Sequence, residues 1–410
     1  MKIPIRRLAI SAFMVVSLFF VWENFQQPRA LTTEVYVWQR EESSALQSAL
    51  AHSQEIASCR HFLAAEIGKI DGQWQIKRSK FSDEIVRGNG LVIRIGSSLS
   101  NEKWNPGEAL AKVLAEIAWT ASKPVTALQI DYDSPQRSLG NYLRLLETVK
   151  TAHPDKKWTI TALPSWLDAP DAKQLFTTAD GVVMQLHSLQ LPDQPDMPVV
   201  LCDPIAARKT VGKMSNMGIP YHIALNTYSC EVWFDGKNRV IDVISEDLHS
   251  STSPSAIRRS MGISDAVQLA SLVREWKQNP PPHLQGIIWY RLPIETDRRN
   301  WKWITWQRAA RGEIPISDLR LEARATENGT WDIVLTNYGE RDERLPEIID
   351  VGCETLVLEG LNGYDFSTSQ QLHLKEVSWP WLAPQASFTL GWFRTNDPAT
   401  IPHLTFKKSP

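Results

Sequence analysis

Short apolar segments with strand character alternate with helical segments from Glu34 to Arg311. The helical segments repeat apolar residues at i, i+3, i+4 and i+7, as in Leu110, Val113, Leu114 and Ile117. Eight strand segments lie among them, at 34–39, 62–67, 91–96, 126–133, 157–163, 181–187, 220–228 and 286–292. Strands that alternate with helices over roughly 250 residues are typical of a closed parallel barrel. An open, doubly wound sheet is the alternative, but no glycine-rich phosphate turn follows any of these strands.

The pattern changes after Gly312. Alternating apolar residues on both sides of the Asn328–Gly329 turn predict a hairpin, and further strand-like runs follow without a clear helix. We therefore predict an α/β fold, with a (β/α)8 TIM-type barrel over 32–312 and a small C-terminal β-sandwich over 313–410. Within the barrel, residues 235–262 form a long polar insertion, which we interpret as a lid or a mobile loop.

Residues 1–31 are predicted to be a signal or membrane anchor followed by a linker. Arg6 and Arg7 precede the uncharged, mostly apolar run Leu8–Trp22, which would span about 22 Å as a helix. That length is short of the ~30 Å hydrocarbon core and suits the hydrophobic region of a signal peptide. Two outcomes are compatible with this segment: an uncleaved anchor with Arg6 and Arg7 on the cytoplasmic side, or cleavage near Ala30. Either outcome exports the protein, to the periplasmic side of the inner membrane or into the periplasm.

Several predicted barrel strands alternate polar and apolar side chains, whereas parallel strands buried on both faces are normally apolar throughout. The fourth strand has one face of Leu128, Ile130 and Tyr132 and an opposite face of Gln129, Asp131 and Asp133. Because helices cover the outside of such a barrel, the apolar face must point outward and the polar face inward. The same parity adds to the interior Glu66, Arg94, Gln185, His187, Asn226 and Tyr228. The polarity increases toward the carboxyl ends of the strands, where barrel active sites are built.

Asp131 and Asp133 are the principal predicted catalytic residues. At positions i and i+2 their side chains would be roughly 6.5–7 Å apart along the strand. This spacing suits a pair in which one carboxyl protonates a leaving oxygen and the other orients or stabilises charge. Glu66 is a candidate for a second acid or base. Burying so many polar groups costs free energy unless they are paired or bind a ligand, so a self-contained network, such as Arg94 with Asp131, is the structural alternative.

Further side chains near strand ends are predicted to bind a substrate: Trp38, Gln39, Arg94, Trp166, Gln185, His187, Asn226, Tyr228, Tyr290 and Arg291. Aromatic faces stack on sugar rings, and the chain has 17 Trp but only 8 Tyr, although barrel cores also use Trp as bulk. A net charge of −2 argues against nucleic-acid binding. The four cysteines show no zinc-site spacing and are either buried thiols or disulfides, and we predict no metal and no cofactor.

Four segments resemble the bacterial family described as domain of unknown function 3142: Val35–Arg40, Leu128–Asp133, Thr159–Trp166 and Gly286–Pro293. The resemblance runs over most of residues 34–310. It implies a barrel but no reaction, since that family has no established activity.

The fourth-strand segment is also similar to the family 18 chitinases, whose pattern is Asp-x-x-Asp-x-Asp-x-Glu. Asp131 and Asp133 match the last two aspartates of this pattern. Leu128 and Pro135 stand where the first aspartate and the catalytic glutamate would fall. This departure argues against hydrolysis of the chitinase type, so the acid of a hydrolase would have to be Asp133 or Glu66.

These residues predict a glycoside-hydrolase-like barrel that acts on a cell-envelope or extracellular polysaccharide, with Asp133 as general acid and Asp131 as the orienting or stabilising carboxylate. The alternative is a non-catalytic barrel that has lost the glutamate and binds a glycan or an envelope protein. A purely structural protein would require a fully self-paired interior. The expected partners are a glycan and, through the N-terminal segment, a membrane.

Export can be tested without knowledge of the substrate. A fusion of residues 1–35 to a reporter that is active only outside the cytoplasm should be active, because Leu8–Trp22 would direct translocation with Arg6 and Arg7 left inside. Replacing residues in the middle of Leu8–Trp22 by charged ones should abolish the signal at equal abundance. An inactive parent fusion of normal abundance would end the prediction of an envelope protein.

Overall fold

The structure, a computed structural model, describes residues 30–396 and 402–407, apart from 71–72, 97–107, 126, 188–190, 193, 196, 198, 247–257, 369, 376 and 378. The segment Leu8–Trp22, for which we predict a signal or anchor, lies outside the described residues. Among the residues that are described, no helix is both long enough and apolar enough to cross a membrane.

Eight parallel strands, numbered with all others along the chain, form the main sheet: β1 (Thr32–Val37), β2 (Cys59–Ile70), β4 (Gly90–Ile95), β5 (Ala127–Tyr132), β6 (Lys157–Ala162), β7 (Gly181–Gln185), β8 (Tyr221–Asn226) and β12 (Leu284–Tyr290). β1 pairs with both β12 and β2, and this double pairing closes the sheet into a barrel. Each of the eight segments predicted as a strand overlaps one of these strands. The predicted (β/α)8 barrel is confirmed.

A helix follows each barrel strand in the described chain: α1 (Ser44–Ser53), α2 (Asp83–Val86), α3 (Glu108–Ala121), α4 (Leu139–Ala152), α5 (Ala172–Thr178), α6 (Pro204–Met217), α7 (Ala266–Gln278) and α8 (Trp303–Arg311). Local sequence sets several of the helix ends. The Asp265 carboxylate caps α7 by accepting hydrogen bonds from the backbone N–H groups of Val267 and Gln268. Gly218 ends α6 in the left-handed conformation that favours glycine.

Each barrel strand has an apolar outer face and a mixed inner face. On β5, Leu128, Ile130 and Tyr132 belong to the large core shared with the helices. A separate belt fills the middle of the barrel interior and consists of Tyr36, Trp38, Leu63, Val92, Val183, Ala224 and Ile288. This division confirms the predicted parity, because the residues between the apolar positions of β5 are left to face the interior.

The insertion after β8 is more regular than predicted. Strands β9 (Ser229–Phe234), β10 (Val240–Ile244) and β11 (Arg258–Ile263) form a three-stranded antiparallel sheet in the order β10–β9–β11. The expectation of a mobile loop over 235–262 is therefore wrong for β10 and β11, because cross-strand pairing to β9 supplies hydrogen bonds that isolated segments lack. The alternative of a lid stays a prediction. One further strand, β3 (Gln73–Arg78), adds to β2 as an antiparallel hairpin outside the barrel.

The C-terminal part consists of antiparallel sheets, as predicted. One four-stranded sheet contains β13 (Leu319–Ala325), β14 (Trp331–Asn337), β21 (Ser387–Thr395) and β17 (Thr355–Gly360). The other contains β18 (Tyr364–Thr368), β19 (Gln371–Leu374), β16 (Ile348–Asp350) and β22 (Thr405–Lys407), and a short pair joins β15 (Glu343–Arg344) to β20 (Trp381–Leu382). Both large sheets bury side chains in one core, including Ile333, Ile349, Leu372, Leu390 and Phe393.

Polar contacts join α8 to the C-terminal sheets. Two guanidinium nitrogens of Arg308, Nε and Nη2, lie 3.0 and 2.7 Å from Glu340 Oε1. The Thr305 hydroxyl donates to the Glu340 carbonyl oxygen at 2.8 Å. The apolar cores on the two sides share no residue. A boundary at 312/313 stays a prediction.

Truncation tests this boundary. A chain ending at Pro315 should remain soluble and retain helical and strand circular dichroism, because it keeps the whole barrel core. The loss of a partly exposed ion pair such as Arg308–Glu340 should cost about 1 kcal/mol or less. Limited proteolysis of the full chain should first cut near 312–316 or within 235–262. An insoluble truncated chain would mean that the two parts need each other to fold.

Candidate functional site

Polar side chains converge at the carboxyl ends of the barrel strands and surround a cavity of about 410 Å³. Strands β4, β5, β6 and β7 contribute Arg94, Asp131, Thr161 and Gln185. The full lining is Tyr36, Trp38, Val92, Arg94, Asp131, Asp133, Thr161, Leu163, Gln185, His187, Ala224, Tyr228, Ser245 and Tyr290. The side chains come from many strands because the carboxyl ends of parallel strands meet at one mouth of the barrel.

Asp131 is buried and held by three neighbours. Its Oδ1 accepts a hydrogen bond from the Thr161 hydroxyl at 2.7 Å and a longer one from Gln185 Nε2 at 3.3 Å. Arg94 Nη1 lies 3.8 Å from its other oxygen, Oδ2. Two donors and a nearby guanidinium are contacts that stabilise a carboxylate anion in a fixed orientation.

Asp133 follows the last residue of β5, and its side chain is exposed to the cavity. Burial among the cavity walls and the negative charge of Asp131 raise the pKa of Asp133 from 3.8 to about 6, against the opposing effects of Arg94 and a hydrogen bond from Gln185. The Asp133 carboxyl group is accessible from the cavity and yet poorly solvated, because protein atoms surround the cavity itself. The two neighbouring carboxyl groups therefore have different environments, one anchored and one free to exchange a proton.

Aromatic rings form one wall of the cavity. His187 stacks on Tyr290 with 5.3 Å between ring centroids and an angle of 11°. Trp38 and Tyr228 contact the same Tyr290 edge to face, at 4.9 and 5.6 Å. Burial and the positive charge of Arg94 lower the pKa of His187 to about 4. His187 is therefore neutral at neutral pH and presents a flat ring rather than a charge.

A second cavity of about 360 Å³ adjoins the first, and Trp38 lines both. In its wall, Arg40 bridges two carboxylates: Nε is 2.8 Å from Glu66 Oε2, and Nη1 is 3.0 Å from Glu246 Oε2. Arg291 also lines this cavity and forms a buried ion pair of 2.7 Å with Asp297. The two cavities share Trp38 as a wall and are together called the cleft.

The structure brings eight of the predicted site residues together around the first cavity: Trp38, Arg94, Asp131, Asp133, Gln185, His187, Tyr228 and Tyr290. Gln39 and Arg291 line the second cavity instead. Glu66 does not line the first cavity and is held by Arg40, so its role as a second acid or base beside the two aspartates stays a prediction.

Two other predicted residues also lie outside the first cavity. Trp166 is only 1% exposed and donates from Nε1 to the Ser134 carbonyl at 2.9 Å. A 3-10 turn at Pro164–Trp166 directs its ring against Tyr142 of α4, in the core outside the barrel. Asn226 is fully buried, its amide donates to Ser264, and it does not line the first cavity.

Sequence reasoning also missed several lining residues. Tyr36 has the same strand parity as Trp38, and Thr161 follows Ile160, whose side chain belongs to the outer core, so alternation alone could have added both to the site. Ser245 follows β10 in the insertion, and no sequence signal places it at the barrel mouth. The described lining has two carboxylates with Arg94 beside them, an arrangement that disfavours a bound cation.

The fold and the cavity define a (β/α)8 barrel with an acidic pair and an aromatic wall at its mouth. The family model described as domain of unknown function (DUF3142) matches residues 87–295, and the chain belongs to this family. A second model, domain of unknown function (DUF8456), matches residues 320–396 in the C-terminal sheets. No curated protein sequence gives a significant match.

Three solved structures illustrate what the chain is similar to. The spore cortex-lytic enzyme SleL of Bacillus cereus is 16% identical, with a TM-score of 0.47 over 70% of this chain and 75% of that one. A chitinase from Chromobacterium violaceum is 11% identical, with a TM-score of 0.46 over 69% and 99%. The chitinase ChiA74 of Bacillus thuringiensis is 9% identical, with a TM-score of 0.45 over 92% and 100%. At these scores the similarities carry no inference about activity.

The raised pKa of Asp133 has a consequence for stability. Because the folded protein holds this proton up to about pH 6 and the unfolded chain only to about 3.8, the contribution of Asp133 to stability falls as the pH rises through this window. At pH 8 the free energy of unfolding of Asp133→Asn should therefore equal that of the parent or exceed it by about 1 kcal/mol or less, because solvent screens the charge. The difference should disappear near pH 4.

Thermal melts of the parent and Asp133→Asn from pH 4 to 8 check this expectation. His187 titrates in both proteins, so its effect cancels in the difference. The control is Asp168→Asn, which removes a surface carboxylate paired with Lys213 outside the cavity. If Asp133→Asn melts far below the parent at pH 8, Asp133 has a structural role and the site is a self-paired network.

Proposed function

We propose that this protein is an exported glycoside hydrolase acting on a polysaccharide of the cell envelope or its surroundings. The observation that carries the proposal is the unequal carboxyl pair in the barrel mouth. Asp133 is open to the cavity with its pKa raised to about 6, and Asp131 beside it is anchored by Thr161, Gln185 and Arg94. A general acid works best when its pKa lies near the operating pH, and Asp133 meets this requirement.

In the proposed reaction, Asp133 donates its proton to the oxygen that leaves when a glycosidic bond breaks. Positive charge then develops on the sugar ring, and the fixed carboxylate of Asp131 stabilises it. Thr161 and Arg94 keep the Asp131 carboxylate in place while Asp133 changes its protonation state. Water adds to the sugar and completes the hydrolysis, and a proton returns to Asp133.

The aromatic wall supplies the binding face for sugar rings. Trp38, Tyr228 and Tyr290 line the cavity at the side of the aspartates. Sugar rings expose C–H faces that pack on such aromatic surfaces. Polar groups such as Gln185 would form hydrogen bonds with the sugar hydroxyl groups. The adjoining second cavity extends the cleft past Trp38, which suits a chain of several sugars rather than a monosaccharide.

Export rests on the sequence of the N-terminal segment, in which Arg6 and Arg7 precede Leu8–Trp22. An exported barrel would meet polysaccharides of the envelope directly. A non-catalytic, glycan-binding barrel is the alternative function. The position of Glu66 favours this alternative. Glu66 is bound to Arg40, so the described cavity lining contains no third carboxylate beside Asp131 and Asp133.

Hydrolysis can be measured as the release of reducing ends from a panel of polysaccharides and peptidoglycan. Asp133→Asn should lower the rate by about 10²–10⁴-fold, because the general acid is lost. The parent rate should fall as the pH rises above about 6, because Asp133 then loses the proton that it donates. Asp168→Asn is the matched control and should keep the parent rate and pH profile.

Binding measured by co-sedimentation and calorimetry separates the alternatives. Trp38→Ala should weaken glycan binding in either case, because it removes a ring shared by both cavities. Glycan binding by the parent without turnover at any pH from 4 to 8 would favour the non-catalytic barrel. Neither binding nor turnover across the panel would contradict both functions.

A further inference from the structure

A second polar cluster lies at the opposite, amino-terminal end of the barrel. Among the described residues, it brings together ligand atoms of Glu34, Cys59 and His61 within 4.8 Å of one another. Glu34 Oε2 is 2.7 Å from His61 Nε2, and Glu34 Oε1 is 3.4 Å from Nε2 of His222. The four side chains come from β1, β2 and β8, near the first residues of these strands.

The backbone arrangement explains why these side chains meet. Glu34 of β1 is the register partner of Cys59 of β2 in the pairing that closes the barrel. Glu34 shares the inward parity of Tyr36, and His222 that of Ala224, both of the interior belt. Neighbouring Gly90 leaves the necessary room, because a Cβ at this position would lie 2.6 Å from His61 Nδ1. The imidazole ring therefore occupies space that a side chain on β4 would fill.

The donor set is that of a zinc site. Thiolate, imidazole and carboxylate ligands bind Zn²⁺ in a tetrahedral arrangement, with bonds of about 2.0–2.3 Å that place ligand atoms about 3.4 Å apart. Glu34, Cys59 and His61 already have ligand atoms within 4.8 Å of one another, and His222 Nε2 lies 3.4 Å from Glu34 Oε1. Side-chain rotations that bring His222 toward the other three would complete the tetrahedron. Cys59 is a free thiol and is available as a ligand. We infer that Glu34, Cys59, His61 and His222 bind one Zn²⁺ ion.

The position indicates what such an ion would do. It would join β1 to β2 at the seam of the barrel and reach across to β8. Tyr36 of the interior belt lies between it and the cavity that contains Asp131, because Tyr36 lines that cavity and its ring centroid is 5.5 Å from that of His61. The side chains of Glu34, His61 and His222 are 12, 14 and 26% exposed, which leaves a path for the ion from solvent. None of the four ligands lines that cavity, so we assign the zinc site a structural role, and zinc binding can be measured independently of the proposed hydrolase activity.

The competing explanation is a metal-free network in which Glu34 only pairs with the two histidines. In that network the Cys59 thiol hydrogen-bonds to His61, and no stoichiometric metal is expected. A thiolate ligand leaves a specific spectroscopic signature, because sulfur-to-cobalt charge transfer absorbs in the near ultraviolet when Co²⁺ replaces zinc. The identity of the ligands can thus be read without an activity assay.

The test uses the full chain without an affinity tag, stripped by a chelator and then given Zn²⁺ or Co²⁺. The parent should retain one zinc per chain through gel filtration, melt several degrees higher with zinc than without, and show the thiolate–cobalt band. Cys59→Ser and His61→Gln should each weaken zinc binding at least tenfold, and Cys59→Ser should abolish the band. Cys202→Ser and His153→Gln, which alter residues outside the cluster, should behave as the parent.

Two results would overturn the site. One is a parent that retains no stoichiometric zinc and shows no thiolate–cobalt band, a measurement that needs no variant to fold. The other is parent-like zinc binding by Cys59→Ser, which would place the ion elsewhere. If His61→Gln does not fold, Gly90→Ala serves in its place, because the added Cβ should displace the imidazole and lower zinc affinity.

Discussion

Closure of the eight-stranded sheet is the constraint on which the rest of this structure depends. β1 pairs with β12 on one side and β2 on the other, so the main sheet has an inside and an outside. The helices require an apolar outer face, and residues of alternate parity are forced inward regardless of their polarity. The aspartates of β5 face the barrel interior because Leu128, Ile130 and Tyr132 occupy the outer face.

The barrel interior is layered, and these layers determine how well the carboxyl groups at the barrel mouth are solvated. An apolar belt that includes Leu63, Val92, Val183, Ala224 and Ile288 separates a polar layer at each end. Charges above such a belt lie against a medium of low polarizability and are solvated only from the cavity. Two carboxyl groups are placed there near Arg94 and Gln185, and Asp131 alone also accepts a hydrogen bond from Thr161. The raised pKa of Asp133 is the consequence.

Segments outside the regular barrel complete the cleft. The insertion sheet after β8 brings Ser245 to the first cavity and Glu246 to the second. Arg40 connects this insertion to β2, because it bridges Glu246 and Glu66. Insertions of this kind can vary while the barrel is retained, so they are natural places for substrate preference to be set. The C-terminal sheets have their own apolar core and meet the barrel through polar contacts such as Arg308 with Glu340.

The sequence by itself determined the positions of the barrel strands, the inward parity and the acidic pair, because these depend on periodicity within single strands and helices. Tertiary structure decided the rest. Asp131 and Asp133 were predictable because they belong to, or directly follow, a regular strand. Trp166 lies beyond the end of its strand, where parity no longer applies, and the 3-10 turn directs it outward. Glu34, His61 and His222 are far apart in the chain, and only the closing register of β1 with β2 brings their ligand atoms together.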